Sequence, residues 1–340
     1  MLKHSTLEKY DSLKMYEVYD KWPEIALKSF ESEQNPINFD KINHIVFAGM
    51  GGSGAIGDLF AAILSKTKIH VNVVKGYHLP KTVDPNSLVI TISVSGNTKE
   101  TISVLDSAFN LGSKIIAFSS GGEMEEYCKK NKIEHRRIPQ NHSPRASFTS
   151  FLYSILKVLH STLEIKQEDI LESIAEMKKM QKKINSRNLT EKNPALNLAK
   201  WIDNVPIIYY PFGLESATIR FKNSLQENTK LHVMTEDVIE ACHNGIVSWE
   251  RKSSIQPILI EGQNDHIKTK ERWIILKEFF KKRNIEYKEI KSINGSILTK
   301  LVNLIYLLDY ASIYLAVLNK IDPSPVKSID FIKERLEKQN

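Results

Sequence analysis

The sequence predicts an α/β protein made of two doubly wound units, each a mostly parallel sheet flanked by helices. Three observations carry this. Apolar runs of strand length alternate with amphipathic stretches of helix length, the runs end at glycine- or serine-rich turns, and the rhythm occurs twice around a helix-rich stretch without strands. With 340 residues, 41% hydrophobic and 26% charged, and no low-complexity tract, the chain has the length for two ordinary domains and the composition to fold throughout.

The elements can be justified in order. Tyr16, Tyr19, Trp22, Ile25, Ala26 and Phe30 recur at helical spacing and predict a leading helical segment over the first 35 residues. Strands are expected at 44–48, 70–74, 88–93, 114–118 and 135–138, with helices between them, for example at 55–65 and 99–110. Residues 147–200 read as helices only. The strand rhythm returns in "VPIIYYPFG" (205–213), "LHVMT" and "IQPILIEG" (255–262), and a long helix over 296–318 precedes a short terminal one after "DPSP". This divides the chain into an N-terminal unit (1–150), a helical bridge (151–200) and a C-terminal unit (201–340), the two units reading as distant copies of one another.

Charge and cysteine content narrow the function. The formal net charge is +7, but lysines alternate with acids, as in "KEFFKKRNIEYKEIK" (277–291), which reads as a solvated helix face and not as a nucleic-acid surface. No stretch approaches about 18 uninterrupted apolar residues and the amino terminus is polar, so a cytoplasmic protein without a membrane span is expected. Cys128 and Cys242 lack CxxC spacing, and His266 has no HxH or HxxxH companion, so neither a disulfide framework nor a bound metal is expected.

"GMGGSGAIGD" (49–58) follows the first strand and carries Gly49, Gly51 and Gly54 at dinucleotide-motif spacing. The second strand, however, ends in Lys75 and Gly76 where a ribose-binding acid would stand, and no Lys-Ser or Lys-Thr pair follows the glycines. The third strand leads into "SVSGNTKET", where Ser93, Ser95 and Thr98 surround Gly96 and Asn97 before a helix. Hydroxyls with the free N–H groups of a helix start can hold one phosphate without a cofactor. Gly52 and Ser53 of the first turn, with Ser93, Ser95 and Thr98 of the second, are the phosphate-binding candidates. Two such turns at the carboxyl ends of neighbouring parallel strands are where open sheets bind ligands.

In this order "GMGGSG", "SVSGNTKET" and "PRAS" resemble the sugar isomerase (SIS) domain family. "QENTK" (226–230) and "EACHNGIVSWE" (240–250) extend the likeness to the bifunctional phosphoglucose/phosphomannose isomerases of archaea and bacteria, over nearly the whole chain. The resemblance implies two SIS-type domains and a metal-independent isomerase passing glucose 6-phosphate, fructose 6-phosphate and mannose 6-phosphate through a cis-enediolate. It implies Glu227 as the base, His243 as the ring-opening group supplied by the second subunit of a homodimer, and Arg145 as the charge stabiliser. It also implies a lysine from the terminal helix, Lys333, with Lys327 as its competitor. A sugar-phosphate-binding regulator without turnover is the alternative, and retention of both Glu227 and His243 favours the enzyme.

Overall fold

The computed structural model describes residues 2–338. The leading segment is three short helices, α1 (His4–Tyr10), α2 (Met15–Asp20) and α3 (Trp22–Phe30), which bury Tyr16, Tyr19, Trp22, Ala26 and Phe30 as their spacing requires. Five parallel strands follow: β1 (His44–Ala48), β2 (His70–Val74), β3 (Leu88–Ser93), β4 (Lys114–Ser119) and β5 (Glu134–Arg137). Their order across the sheet is β2-β1-β3-β4-β5. β1 and β3 are buried along their whole length because helices cover both faces. Ile45 and Phe47 pack on the side of α4 (Gly51–Leu64), where the Phe47 and Phe60 rings stack 5.0 Å apart. Val46 packs on the opposite side with Val104 and Ala108 of α5 (Lys99–Asn110), and α6 (Gly122–Asn131) covers Ala117 with Met124 and Cys128.

The helices α7 (Phe148–Leu159), α8 (Gln167–Ile184) and α9 (Pro194–Trp201) lead to a second parallel sheet. Its strands are β6 (Pro206–Tyr210), β7 (Met234–Asp237), β8 (Gln256–Glu261) and β9 (Lys288–Lys291), in the order β7-β6-β8-β9. In both sheets the first strand lies inside, the second flanks it, and the third and fourth continue on the other side. Among the described residues the second sheet repeats the topology of the first without a fifth strand. Its helices are α10 (Glu215–Ser224), α11 (Val238–Ala241) and α12 (Ile267–Lys282), followed by α13 (Ile297–Leu318) and α14 (Lys327–Glu337).

One core joins the two sheets. Ile90 and Phe118 of the first and Ile208, Ile258 and Ile260 of the second belong to the same apolar cluster as α13, whose Leu301, Ile305, Leu308 and Ile313 are fully or almost fully buried. α13 is long and apolar enough to cross a membrane, although Lys300, Asn303 and Asp309 interrupt its apolar residues. Its most apolar 18-residue stretch is 94% buried inside the protein, which makes it the central helix of the core.

Two local expectations are corrected. "LHVMT" becomes a strand only from Met234, because Val233 turns into the main core first. The charged stretch 277–291 is not one helix face: α12 ends at Lys282, and Lys288–Lys291 is an edge strand in which only Ile290 is buried. Charged edge strands of this kind resist pairing with other chains, and a single apolar residue gives no alternation to read. α12 is capped by His266, whose Nδ1 accepts from Lys268 N at 3.2 Å.

Candidate active site

The carboxyl ends of β1 and β3 lie side by side, and each leads through a turn into a helix whose first N–H groups have no side-chain cap. In the first turn Ser53 N and Gly54 N bond Met50 O at 3.0 and 3.2 Å. The N–H groups of Gly51 and Gly52 have no acceptor among the described residues. In the second turn Ser93 Oγ accepts from Gly96 N at 3.0 Å and lies 2.9 Å from Thr98 Oγ1, while Ser95 Oγ accepts from Asn97 N at 3.3 Å. Gly96 has φ +74°, and a Cβ on it would stand 1.7 Å from Gly121 O, so this position accepts glycine alone. Ser53 and Ser93 are buried and Ser95 is exposed. Two open helix starts with hydroxyls beside them have the donors that a receptor for one small anion needs.

Arg145 adjoins these helix starts. A Cβ on Gly52 would meet Pro144 O at 3.4 Å and Arg145 Cα at 3.5 Å, so the first turn rests on the Arg145 backbone. The buried Arg145 side chain crosses from the first unit to the second. Its Nη1 donates to Glu227 Oε2 at 3.0 Å, Nε to Asn228 Oδ1 at 2.8 Å, and Nη2 to Pro323 O and Ser324 O at 2.6 and 2.9 Å. Four of its five N–H groups are therefore used, and the remaining one is on Nη1. Glu227 and Asn228 sit in a π-turn, Leu225–Thr229, that continues α10; such widened turns gather at functional sites.

A second cation and a buried ion pair complete the surroundings. Lys230, just past the π-turn, donates from Nζ to Glu227 O and to Pro325 O, and burial, followed by repulsion from Arg145, lowers its pKa. Arg220 of α10 donates from Nη2 to the Arg145 carbonyl at 2.8 Å and to Asp309 Oδ2 of α13 at 2.6 Å. Asp309 also accepts from Ser224 Oγ and Tyr19 OH, and the Arg220 guanidinium carbon lies 4.1 Å from the Phe148 ring centroid. Burial opposes the Arg220 charge, and Asp309 together with Tyr19 and Glu227 outweighs it, leaving its pKa raised. Removing one partner of such a pair costs about 3–5 kcal/mol, because the other charge is left buried alone.

Arg145 and Glu227 thus meet as a pair beside the two phosphate-candidate turns. His243 does not join them within the chain: it is exposed in the turn after α11, and only its backbone N has a described bond, to Glu240 O at 2.8 Å. Lys333 and Lys327 are both exposed on α14 and have no described contact with the pair. Asn228, Lys230 and Arg220 were not singled out from sequence, although the first two adjoin Glu227 in "QENTK". Both thiols are pushed up by burial, Cys128 to about 12, which leaves them poor nucleophiles. Lys75, at the strand end where a dinucleotide site would need an acid, is paired with Asp58 at 2.6 Å.

Family models match both units: the SIS domain over residues 38–163 and the bacterial phospho-glucose isomerase C-terminal SIS domain over residues 191–336. A bifunctional phosphoglucose/phosphomannose isomerase of Caldicellulosiruptor bescii is 34% identical over 337 residues, covering 95% of this chain and 98% of its own. The chain belongs to the bifunctional phosphoglucose/phosphomannose isomerase family. A member from Aquifex aeolicus is 31% identical, with 95% of this chain and 99% of its own aligned. The fold of these SIS isomerases is shared more widely. The C-terminal domain of glucosamine-fructose-6-phosphate aminotransferase from Francisella tularensis superposes with a TM-score of 0.69 at 16% identity, covering 91% of this chain and 96% of its own.

Proposed function

We propose that the protein interconverts glucose 6-phosphate and fructose 6-phosphate, and mannose 6-phosphate with them, through a shared cis-enediolate. The observation that carries this reading is the Arg145–Glu227 contact beside two open helix starts. The phosphate is held by the turns containing Gly52, Ser53, Ser93, Ser95 and Thr98, and the reacting carbons reach the pair. Glu227 removes the proton from C2 of the aldose and returns it to C1, using Oε1, the oxygen that Arg145 leaves free. The uncommitted N–H of Arg145 Nη1 is directed to an enediolate oxygen, so the developing charge is met by a protein cation and the reaction requires no metal. Both aldoses give the same enediol, and rotation about C2–C3 lets one base serve both faces.

Ring opening needs a group that exchanges protons near neutral pH, and His243 is assigned to it. Its exposure, apart from Arg145 and Glu227, supports a homodimer in which each subunit supplies His243 to its partner's site. Lys333 of α14 is kept as the active-site lysine reaching the sugar from the terminal helix, with Lys327 as its competitor. The division into units at 1–150, 151–200 and 201–340 and a cytoplasmic place in carbohydrate metabolism accompany this reading. A coupled assay of fructose 6-phosphate conversion in EDTA, scoring glucose 6-phosphate and mannose 6-phosphate separately, tests it. Both products are expected; formation of neither overturns the assignment.

A further inference from the structure

We propose that Asn228 is a positioning residue for this isomerisation. It fixes the plane of the Arg145 guanidinium so that Nη1 meets Oε2 of Glu227 and Oε1 stays free for the substrate proton. The inference rests on the reading of Glu227 as the base. Asn228 is fully buried, and its amide faces two partners: Oδ1 is 2.8 Å from Arg145 Nε and Nδ2 is 2.8 Å from Ser312 Oγ. An arginine only donates, so the amide has one permissible orientation. Ser312 in turn spends its proton on the Asp309 carbonyl at 2.6 Å, which leaves its oxygen as the acceptor for Nδ2.

The donors therefore run in one direction, from Arg145 to Asn228, from Asn228 to Ser312, and from Ser312 to Asp309. The Asp309 carboxylate holds Arg220, and Arg220 holds the Arg145 carbonyl. Both the guanidinium and the backbone of Arg145 are thus referenced to one turn of α13. Consecutive side chains on an α-helix diverge by about 100°. Here Glu227 and Asn228 converge on one guanidinium, within the π-turn. The other charged or titratable groups facing the pair are Lys230 at the end of the π-turn, Arg220 on α10 with Asp309 on α13, Tyr19 on α2, Asp322 before the Pro323–Pro325 arm, Asp11 after α1 and His142 before α7. They remain in every variant below, so differences between variants report on Asn228.

The test is the pH dependence of kcat and KM for fructose 6-phosphate in Asn228→Ala, Asn228→Asp and Ser312→Ala, with near-UV circular dichroism and thermal melts scoring the fold. Folded Asn228→Ala is expected to lose about 100-fold in kcat, the cost of a catalytic group misplaced by an ångström. Its KM stays within about twofold, because the phosphate turns lie on other elements. Asn228→Asp keeps the acceptor for Nε but competes with Glu227 for the Arg145 charge. Its acid limb should move up by about one pH unit, with kcat recovering above it. Ser312→Ala leaves Nδ2 without its acceptor, loosens the amide against Arg145 and should cost about fivefold in kcat. Wild-type kcat in folded Asn228→Ala overturns the proposal, and so does an Asn228→Asp enzyme that is weaker at every pH with its limb unmoved. If Asn228→Ala does not fold, the limb of Asn228→Asp decides. A wild-type protein without isomerase activity removes the Glu227 reading itself, a result separable from either of these.

Discussion

The third strands of the two units end in different ways. After β3, Ser93, Ser95 and Thr98 bond the turn and one another, and the first N–H groups of α5 remain without a side-chain cap. After β8, Asp265 reaches back to Gly262 N at 3.0 Å and accepts from Trp273 Nε1 at 3.0 Å. A carboxylate of the chain already fills the place that an anion would take. One topology has therefore been put to two uses: the first unit offers open helix starts, and the second delivers Glu227 from the far end of α10. In the proposed function binding and chemistry meet at Arg145, which leaves the first unit and ends in the second.

The strongest way to break this division is to remove the base. Glu227→Gln should lower kcat by about 1,000-fold while leaving sugar-phosphate binding intact by calorimetry; a comparable loss of binding would place Glu227 with the phosphate turns. Next comes the partner's contribution. Glu227→Gln and His243→Asn proteins, each inactive alone, should regain about a quarter of wild-type turnover when mixed and allowed to exchange, since one site in each mixed dimer is whole. No regain would put His243 in the site of its own chain.

The contrast between the turns gives a smaller effect. Ser95→Ala should raise KM about tenfold for every sugar phosphate with kcat little changed, because it removes binding common to ground and transition states. Asp265→Ala should leave KM unaltered and cost about 2 kcal/mol in a denaturant melt. If the two exchanged outcomes, the roles assigned to the turns would be reversed.

The smallest effect concerns the loop that carries Arg145. Burial, then Arg145, depresses the His142 pKa below its ordinary 6.5. The unfolded chain binds this proton first, so the His142 contribution makes stability fall as pH drops through 6.5 and level off below the folded-state value. His142→Asn should flatten that part of the profile of melting temperature between pH 7.5 and 5. An unchanged slope would assign it to His135, whose pKa burial also lowers.

Much of the architecture is legible in the sequence because buried parallel strands are written as apolar runs bounded by turns. Those at 44–48, 70–74 and 88–93 coincide with β1, β2 and β3. The edge strand β9 is charged, and its pairing is set by neighbours that no local pattern reveals. In the candidate site, the two turns could be read from residue chemistry, whereas Arg145 and Glu227 came from the family resemblance. Arg220 looks like a surface charge in "ATIRFKNS" and is only 2% exposed, because Asp309 meets it from 89 positions away. Asn228 is an ordinary polar residue until Arg145 and Ser312 are placed on either side of it.

If Arg145 and Glu227 act as proposed, the central helix α13 links catalysis to survival under heat. It fills the core between the sheets, and the same turns bear Asp309 and Ser312, which fix Arg145 through Arg220 and Asn228. Loosening either unit would disarm the reaction before a partly melted enzyme could keep working. Inactivation on heating should therefore follow the loss of tertiary structure in a single step, making turnover a reporter of the whole fold.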